Sequence, residues 1–273
     1  MARKIAAWRR LVELGYAADR PEAERWILSD KVRAGATPVR SAGQAVDEGA
    51  DLSVRGFDLP YVSKGGLKLE GALRDFGMDA AGRVCIDAGA STGGFTDCLV
   101  RHGAALVYAV DVGYGQLAGS LRNHPGVVNL ERVNLGDARL ESLSPKPTLG
   151  TADLSYLSLR KAVPLYARIL PGGDLLCLVK PLFEIEDNEA RRSGQISDAA
   201  LPSLLKALCA DLSGQGHGVL GITHSPVTGN HGTREFFLHL GLQRPLEGLS
   251  ESALEAAAER AAARACALSP YRK

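Results

Sequence analysis

The sequence predicts an α/β protein, a doubly wound parallel sheet preceded by a small α+β module, and three observations predict it. From residue 67 onward, short apolar runs alternate with helical patterns, the signature of strand-helix-strand winding. A chain of 273 residues with 45% hydrophobic content buries a full core of this kind with room for one small extra module. The first 57 residues depart from the alternation, with two helical stretches followed by short β-like pieces.

In the module, residues 1–57, Ala7 to Leu14 is amphipathic. Asp19-Arg20-Pro21-Glu22 then supplies a helix-start signal, an acidic cap with Pro in the first turn, leading into Ala23 to Leu28. Thr37-Pro38-Val39 and Ala50 to Val54 read as short strands between Gly and Asp turns. A polar linker, residues 58–66, precedes a helix at Leu67 to Phe76. Strands follow near Val84 to Ala88, Leu106 to Asp111, Val127 to Glu131, Thr151 to Leu154, Leu175 to Lys180, Val219 to Thr223 and Glu235 to Leu240, the last two as an antiparallel pair. These make a sheet domain over 67–246. The Ala-rich remainder, 247–273, reads as a helical tail opening on a capping box at Ser252 to Glu255.

Composition narrows the function classes. The longest apolar runs are strand-sized, which argues against a membrane span, and the charged, Trp-interrupted N-terminus lacks the apolar centre of a secretory signal. A cytoplasmic protein is expected. Cys85, Cys98, Cys177, Cys209 and Cys266 have no metal-ligand spacing and read as reduced and buried; no metal is expected. Net charge is +1, but residues 1–40 carry nine basic side chains against five acidic ones. That local excess fits RNA through Arg9, Arg10, Arg20, Arg25, Lys31 and Arg33, and equally fits a solvated helical surface. The module's order resembles the RNA-binding domain named after ribosomal protein S-four, carried by Pro21-Glu22-Ala23-Glu24 and Lys31-Val32; Ala34-Gly35 replaces the usual Asn-Gly.

The loop Asp87-Ala88-Gly89-Ala90-Ser91-Thr92-Gly93-Gly94-Phe95 follows a buried strand and opens a helix, at the crevice where such sheets bind nucleotides. It lacks the Gly-x-Gly-x-x-Gly spacing of dinucleotide sites. The acid at its start and Gly93-Gly94 before Phe95 favour S-adenosylmethionine, which carries no pyrophosphate; the bland alternative is an ordinary turn. Asp87, Gly89, Ala90, Ser91, Gly93, Gly94 and Phe95 are the expected cofactor contacts, with Asp111 and Val112 at the ribose. Asn134 and Asp137 after strand three are either base contacts or turn residues.

Chemistry in such sheets lies outside the carboxyl ends of the strands. Asp153 ends strand four, Lys180 ends strand five, Glu235 begins an antiparallel strand at the same rim, and Lys68 on the preceding helix covers it. Any one alone reads as a solvated strand-end charge. Together they suit methyl transfer to a ribose hydroxyl, a very weak acid that needs a base: Lys180, oriented by Asp153, with Lys68 and Glu235 tuning the charge.

The stretches PYVSKGGLKLEGAL, DAGASTGGFTDCL, VYAVDVGYGQLA, DLSYLSL, LVKPLFE and SPVTGNHGTREFF resemble the TlyA (haemolysin A) family over nearly the whole chain. That resemblance implies a Rossmann-like class I methyltransferase related to the FtsJ type, with a Lys-Asp-Lys-Glu tetrad on Lys68, Asp153, Lys180 and Glu235. It implies 2′-O-methylation of cytidine in ribosomal RNA, and a linker at Tyr61 to Gly66 that couples the RNA-binding module to the cofactor pocket. Departures from the family pattern, Leu182 for Gln, His231-Gly232-Thr233 for Glu-Gly-Asn and DLSYLSL for DVSFISL, spare the tetrad and bear on the substrate. Lys64, Arg191 and Arg192 are further RNA-contact candidates, the last two in a loop, Glu184 to Asp198, that reads as a substrate clamp or a charged surface loop. A second reading keeps methyl transfer and moves it to a small nucleoside-like metabolite; a third, membrane-lytic or purely RNA-binding, leaves the loop and tetrad without a use.

Overall fold

The computed structural model describes residues 3–17, 19–55, 60–155, 157–185, 192, 195–229 and 232–268; Arg191 and most of the loop expected to clamp substrate lie outside them. The N-terminal module contains β1 (Lys4–Ala6), α1 (Ala7–Glu13), α2 (Arg20–Leu28), β2 (Val32–Ala34), β3 (Thr37–Pro38), β4 (Ala45–Asp47) and β5 (Leu52–Val54). β1 pairs antiparallel with β4, and β3-β2-β5 form a second small sheet. Asp19 caps α2 by accepting from the Glu22 amide at 2.9 Å, and Pro in the first turn gives up only an N–H with no intrahelical partner.

The second body contains α3 (Lys64–Phe76), β6 (Val84–Ala88), α4 (Gly94–Arg101), β7 (Leu106–Asp111), α5 (Gly119–Arg122), β8 (Val127–Glu131), β9 (Leu149–Ala152), α6 (Leu159–Ile169), β10 (Asp174–Val179), α7 (Pro181–Glu184), α8 (Leu201–Gly214), β11 (Gly218–His224), β12 (Phe236–Gly241) and α9 (Glu251–Ala267). The sheet order is β11-β12-β10-β9-β6-β7-β8. β12 runs antiparallel to both its neighbours while the other pairings are parallel.

Side-chain alternation along the strands feeds two cores. Ile86, Cys177, Phe236 and Leu238 pack towards α6, α8 and α9, whereas Cys85, Leu176, Leu178 and Phe237 pack towards α3 and α4. Burial on both faces is what a strand rich in apolar residues throughout requires. Four of the five free cysteines are buried here, and burial pushes the Cys85 thiol up to about 12.

Three sequence expectations need correction. Helix α3 begins at Lys64, not Leu67, because Ser63 caps it; the Gly65-Gly66 pair is its first turn, and the Tyr61 ring lies where a side chain on Gly66 would go. The final helix starts from Ser250, whose Oγ accepts from the Ala253 amide, so the capping box at Ser252 is not used. Nor is that helix a tail: Ala257, Ala258, Ala261, Ala262 and Ala265 are buried in the larger core. Small side chains let it lie close against its neighbours.

Candidate active site

Strand ends build the site. Asp153 and Lys180 are the first residues beyond β9 and β10, Glu235 is the last before β12, and Lys68 lies one turn into α3. All four line one cavity of about 770 Å³ together with Lys64 and the loop from Gly89 to Thr92. Within it the four residues form two ion pairs. Lys68 Nζ lies 2.5 Å from Glu235 Oε2, both side chains buried; Lys180 Nζ lies 2.6 Å from Asp153 Oδ1 and donates to Ser155 Oγ at 3.1 Å.

Their electrostatics follow from burial and crowding. Burial opposes charge on Lys68, but attraction from Glu235 and Asp153 prevails and holds its pKa above the usual lysine value. Burial likewise opposes charge on Asp153, and Lys180, Lys68 and Lys64 together hold its pKa below the usual carboxylate value. Lys64 fares differently. Burial, reinforced by Lys68, pushes it down to about 8. Three lysines thus face two carboxylates, so with every ammonium charged and both carboxylates ionised the group carries a net charge of +1, which Lys64 most readily relieves.

The glycine-rich loop is held from behind. Asp87 is fully buried and accepts from Thr96 Oγ1 at 2.7 Å and Thr151 Oγ1 at 2.9 Å; burial pushes its pKa up to about 7 against those hydrogen bonds. Its carboxylate therefore braces β6, β9 and α4 and presents no face to a ligand. Gly89, at φ +81°, has the Asp153 carbonyl 2.3 Å from where a Cβ would stand, so only glycine joins the loop to the strand end that carries the acid. Gly93 and Gly94 pack against Leu121 and Ser63. Phe95 stacks on Phe237. Ala90 and Ser91 face the cavity.

Asp111 Oδ2 accepts from the Ser91 amide and Oδ1 from the Gly113 amide, at 2.8 and 2.7 Å, and Val112 beside it is 70% exposed. The remaining lone pairs of Asp111 suit ribose hydroxyls. Asn134 and Asp137 do turn work: Asn134 Oδ1 accepts from the Gly136 amide, and Asp137 accepts from the Arg139 amide and guanidinium.

Several positioning residues escaped the sequence reading. Glu184 is buried, accepts from Ser158 Oγ, the Leu159 amide and Arg160, and so pins the turn after Lys180 to α6. Asp97 accepts from the Val62 amide at 2.9 Å, fixing residues before α3 to α4. Gly229 makes room for Glu235, whose Oε1 lies 2.3 Å from a Cβ built there. A buried acid after a Lys-Pro turn was the one readable signal among them.

The expected RNA contacts divide. Arg9 and Arg20 are exposed and flank the Trp8 ring, and Arg25 is exposed on the same helix pair. Lys31 sits over Trp26, and Arg33 is paired with Asp30. Arg10 is a correction: it is 1% exposed, donates to the Ala50 carbonyl at 2.8 Å and faces Glu13, so it is a core strut. Lys64 stands half-buried in the cavity, where Gly15 of the module abuts its side-chain stem. Arg192 is exposed. The module also meets the cofactor side directly, since the Gly115 carbonyl lies 1.6 Å from where a Cβ on Gly49 would stand.

A family model described as FtsJ-like methyltransferase matches residues 61–242. The 16S/23S rRNA (cytidine-2′-O)-methyltransferase TlyA of Mycobacterium tuberculosis is 40% identical over 258 residues, 93% of this chain and 96% of that protein. Hemolysin A of Brachyspira hyodysenteriae is 35% identical over 228 residues, 82% of this chain and 95% of that one. Among solved structures, a hemolysin candidate from Streptococcus thermophilus superposes with a TM-score of 0.80 at 32% identity, covering 97% of this chain and 98% of that chain. No helix among the described residues is long and apolar enough to cross a membrane.

Proposed function

The chain belongs to the FtsJ-like methyltransferase family, and on that premise we propose that it methylates the 2′-hydroxyl of cytidine in ribosomal RNA, in the cytoplasm, with S-adenosylmethionine as donor. The observation that carries the reading is the meeting of two Lys-carboxylate pairs, Lys68 with Glu235 and Lys180 with Asp153, in one cavity with a glycine-rich loop. S-adenosylmethionine, when bound, supplies a methyl group activated on a sulfonium. The residues present fit it: Asp111 has lone pairs left for ribose hydroxyls, Val112 offers an exposed apolar surface beside it, and the loop at Gly89 to Ser91 lines the cavity wall.

Lys180 takes the proton from the 2′-hydroxyl at its Nζ. Asp153 and Ser155 hold that nitrogen in place, and Lys180 enters the step as the free amine, the form that can accept the proton. Lys68 and Glu235 are the buried half: they fix the charge beneath the acceptor. Positioning of the two reactants supplies much of the acceleration. Arg9, Arg20 and Arg25 of the module bind RNA phosphates.

Labelled S-adenosylmethionine incubated with ribosomal subunits should place label on cytidine ribose, and Lys180→Ala should abolish transfer while donor binding by calorimetry persists. Transfer retained in Lys180→Ala overturns the base assignment. Label in a small nucleoside and none in RNA moves the reaction to a metabolite.

A further inference from the structure

Glu235 reaches Lys68 from a loop end, and the residue before it, which also lines the cavity, sends its guanidinium to the end of α9. Arg234 donates through Nη1 to the Leu268 carbonyl at 2.7 Å and through Nη2 to the Cys266 carbonyl at 3.2 Å. Both acceptors belong to the end of α9, where Leu268 leaves the helix at φ −70°, ψ 130°. Last-turn carbonyls have no amide partner further along the helix, and a guanidinium there also faces the negative end of the helix dipole. The anchor is stiff, because α9 is seated on the core by its alanine face.

On its other side the segment is held just as closely. The Glu235 carbonyl accepts from the Ser225 amide at 2.9 Å and the Thr233 carbonyl from the Gly229 amide at 2.8 Å. Glu235 Oε1 lies over Gly229, and Oε2 meets Lys68 at 2.5 Å. Backbone at 232–235 therefore bridges α9 and the buried lysine. An ion pair this short and this buried tolerates little displacement, since a charge removed from water depends on its partner's geometry.

We propose that Arg234 is a positioning residue: by gripping the end of α9 it sets the backbone that delivers Glu235 to Lys68, so that the C-terminal helix is a working part of the site. This rests on the reading of Lys68 and Glu235 as members of the methyl-transfer group. Without the grip Glu235 retreats, and Lys68, which burial alone would discharge, loses the attraction that keeps it protonated.

The test uses the full-length protein with Arg234→Ala, Arg234→Met, which keeps the packing stem and no donor, and Arg234→Lys, which keeps a charged donor. The first two should lower the single-turnover rate of methyl transfer to ribosomal subunits at least tenfold with donor affinity within twofold of wild type, and Arg234→Lys should recover most of the loss. The carbon-13 shift of the Lys68 ε-methylene, followed against pH, should show its titration moving down in Arg234→Ala or Arg234→Met and returning in Arg234→Lys. A rate within twofold of wild type in Arg234→Met, or an unmoved Lys68 titration, overturns the proposal. Wild-type protein that methylates no RNA instead sinks the reading it rests on, and the Lys68 titration, which needs no turnover, still decides the grip.

Discussion

Glu235→Gln removes the charge opposite Lys68 and leaves its shape. Lys68 is 5% exposed and Glu235 6%, so the remaining ammonium is buried with its nearest partner, at 2.5 Å, neutralised. Breaking such a pair from one side costs roughly 3–5 kcal/mol; Asp153, which also attracts Lys68, keeps the cost near the lower end, at about 3 kcal/mol. For a domain of this size that is a fall of roughly 6–12 °C in the melting midpoint. The sign of its pH dependence is fixed. In the wild type the folded pKa of Lys68 lies above the unfolded value, so its contribution is fully present below the unfolded pKa and is lost as pH rises through the folded one. In the variant burial is left in control, the folded pKa drops below the unfolded value, and the penalty shrinks as pH rises towards the unfolded pKa. Lys64, already depressed to about 8, makes both proteins gain stability in that range, so the quantity to measure is the difference between their urea midpoints from pH 7 to 9.5. It should narrow with pH. A variant as stable as wild type at pH 7, or a gap that widens with pH, would refute the reasoning.

Three other outcomes follow from the structure. Asp87→Asn should flatten the pH dependence of stability between pH 4 and 7: the buried carboxyl has a folded pKa raised to about 7, so ionising it destabilises the fold as pH rises through that window, by up to about 4 kcal/mol at 1.36 kcal/mol per unit. Denaturant midpoints across that window measure it. Replacing Arg9, Arg20 and Arg25 with Ala should raise KM for ribosomal subunits and reduce the salt dependence of binding by roughly one unit for each phosphate left without its arginine, with kcat unchanged. Arg10→Ala should lower thermal stability instead, because its guanidinium is inside the module.

Much of this was legible because strands and strand ends are local. An apolar run bounded by Gly or Asp gives a strand, and a charge after it lands on the rim, which is how Asp153, Lys180 and Glu235 were brought together from sequence. What escaped depends on distant partners. Lys64 read as linker because two glycines follow it, and only the packing of Tyr61 and Gly94 around them shows why a helix tolerates them there. Arg10 read as an RNA contact on charge alone, although its place in the run Ala7, Arg10, Leu11, Leu14 puts it on the apolar stripe of α1. Gly229 and Arg234 carry no local signal at all. Their roles are set by a carboxylate and by a helix end that come close only in three dimensions.

β12 enters the sheet between β10 and β11, antiparallel to both, and it is the last strand among the described residues. During synthesis, everything up to β11 is made while β10 still has an open edge and Lys68 has no carboxylate from Glu235. A nascent chain can wind most of the parallel sheet, yet its buried lysine has only the attraction of Asp153 until β12 slides home. Insertion of β12 and assembly of the Lys68 pair are thus one event, and a chain cut short before residue 235 lacks its Glu235 partner altogether.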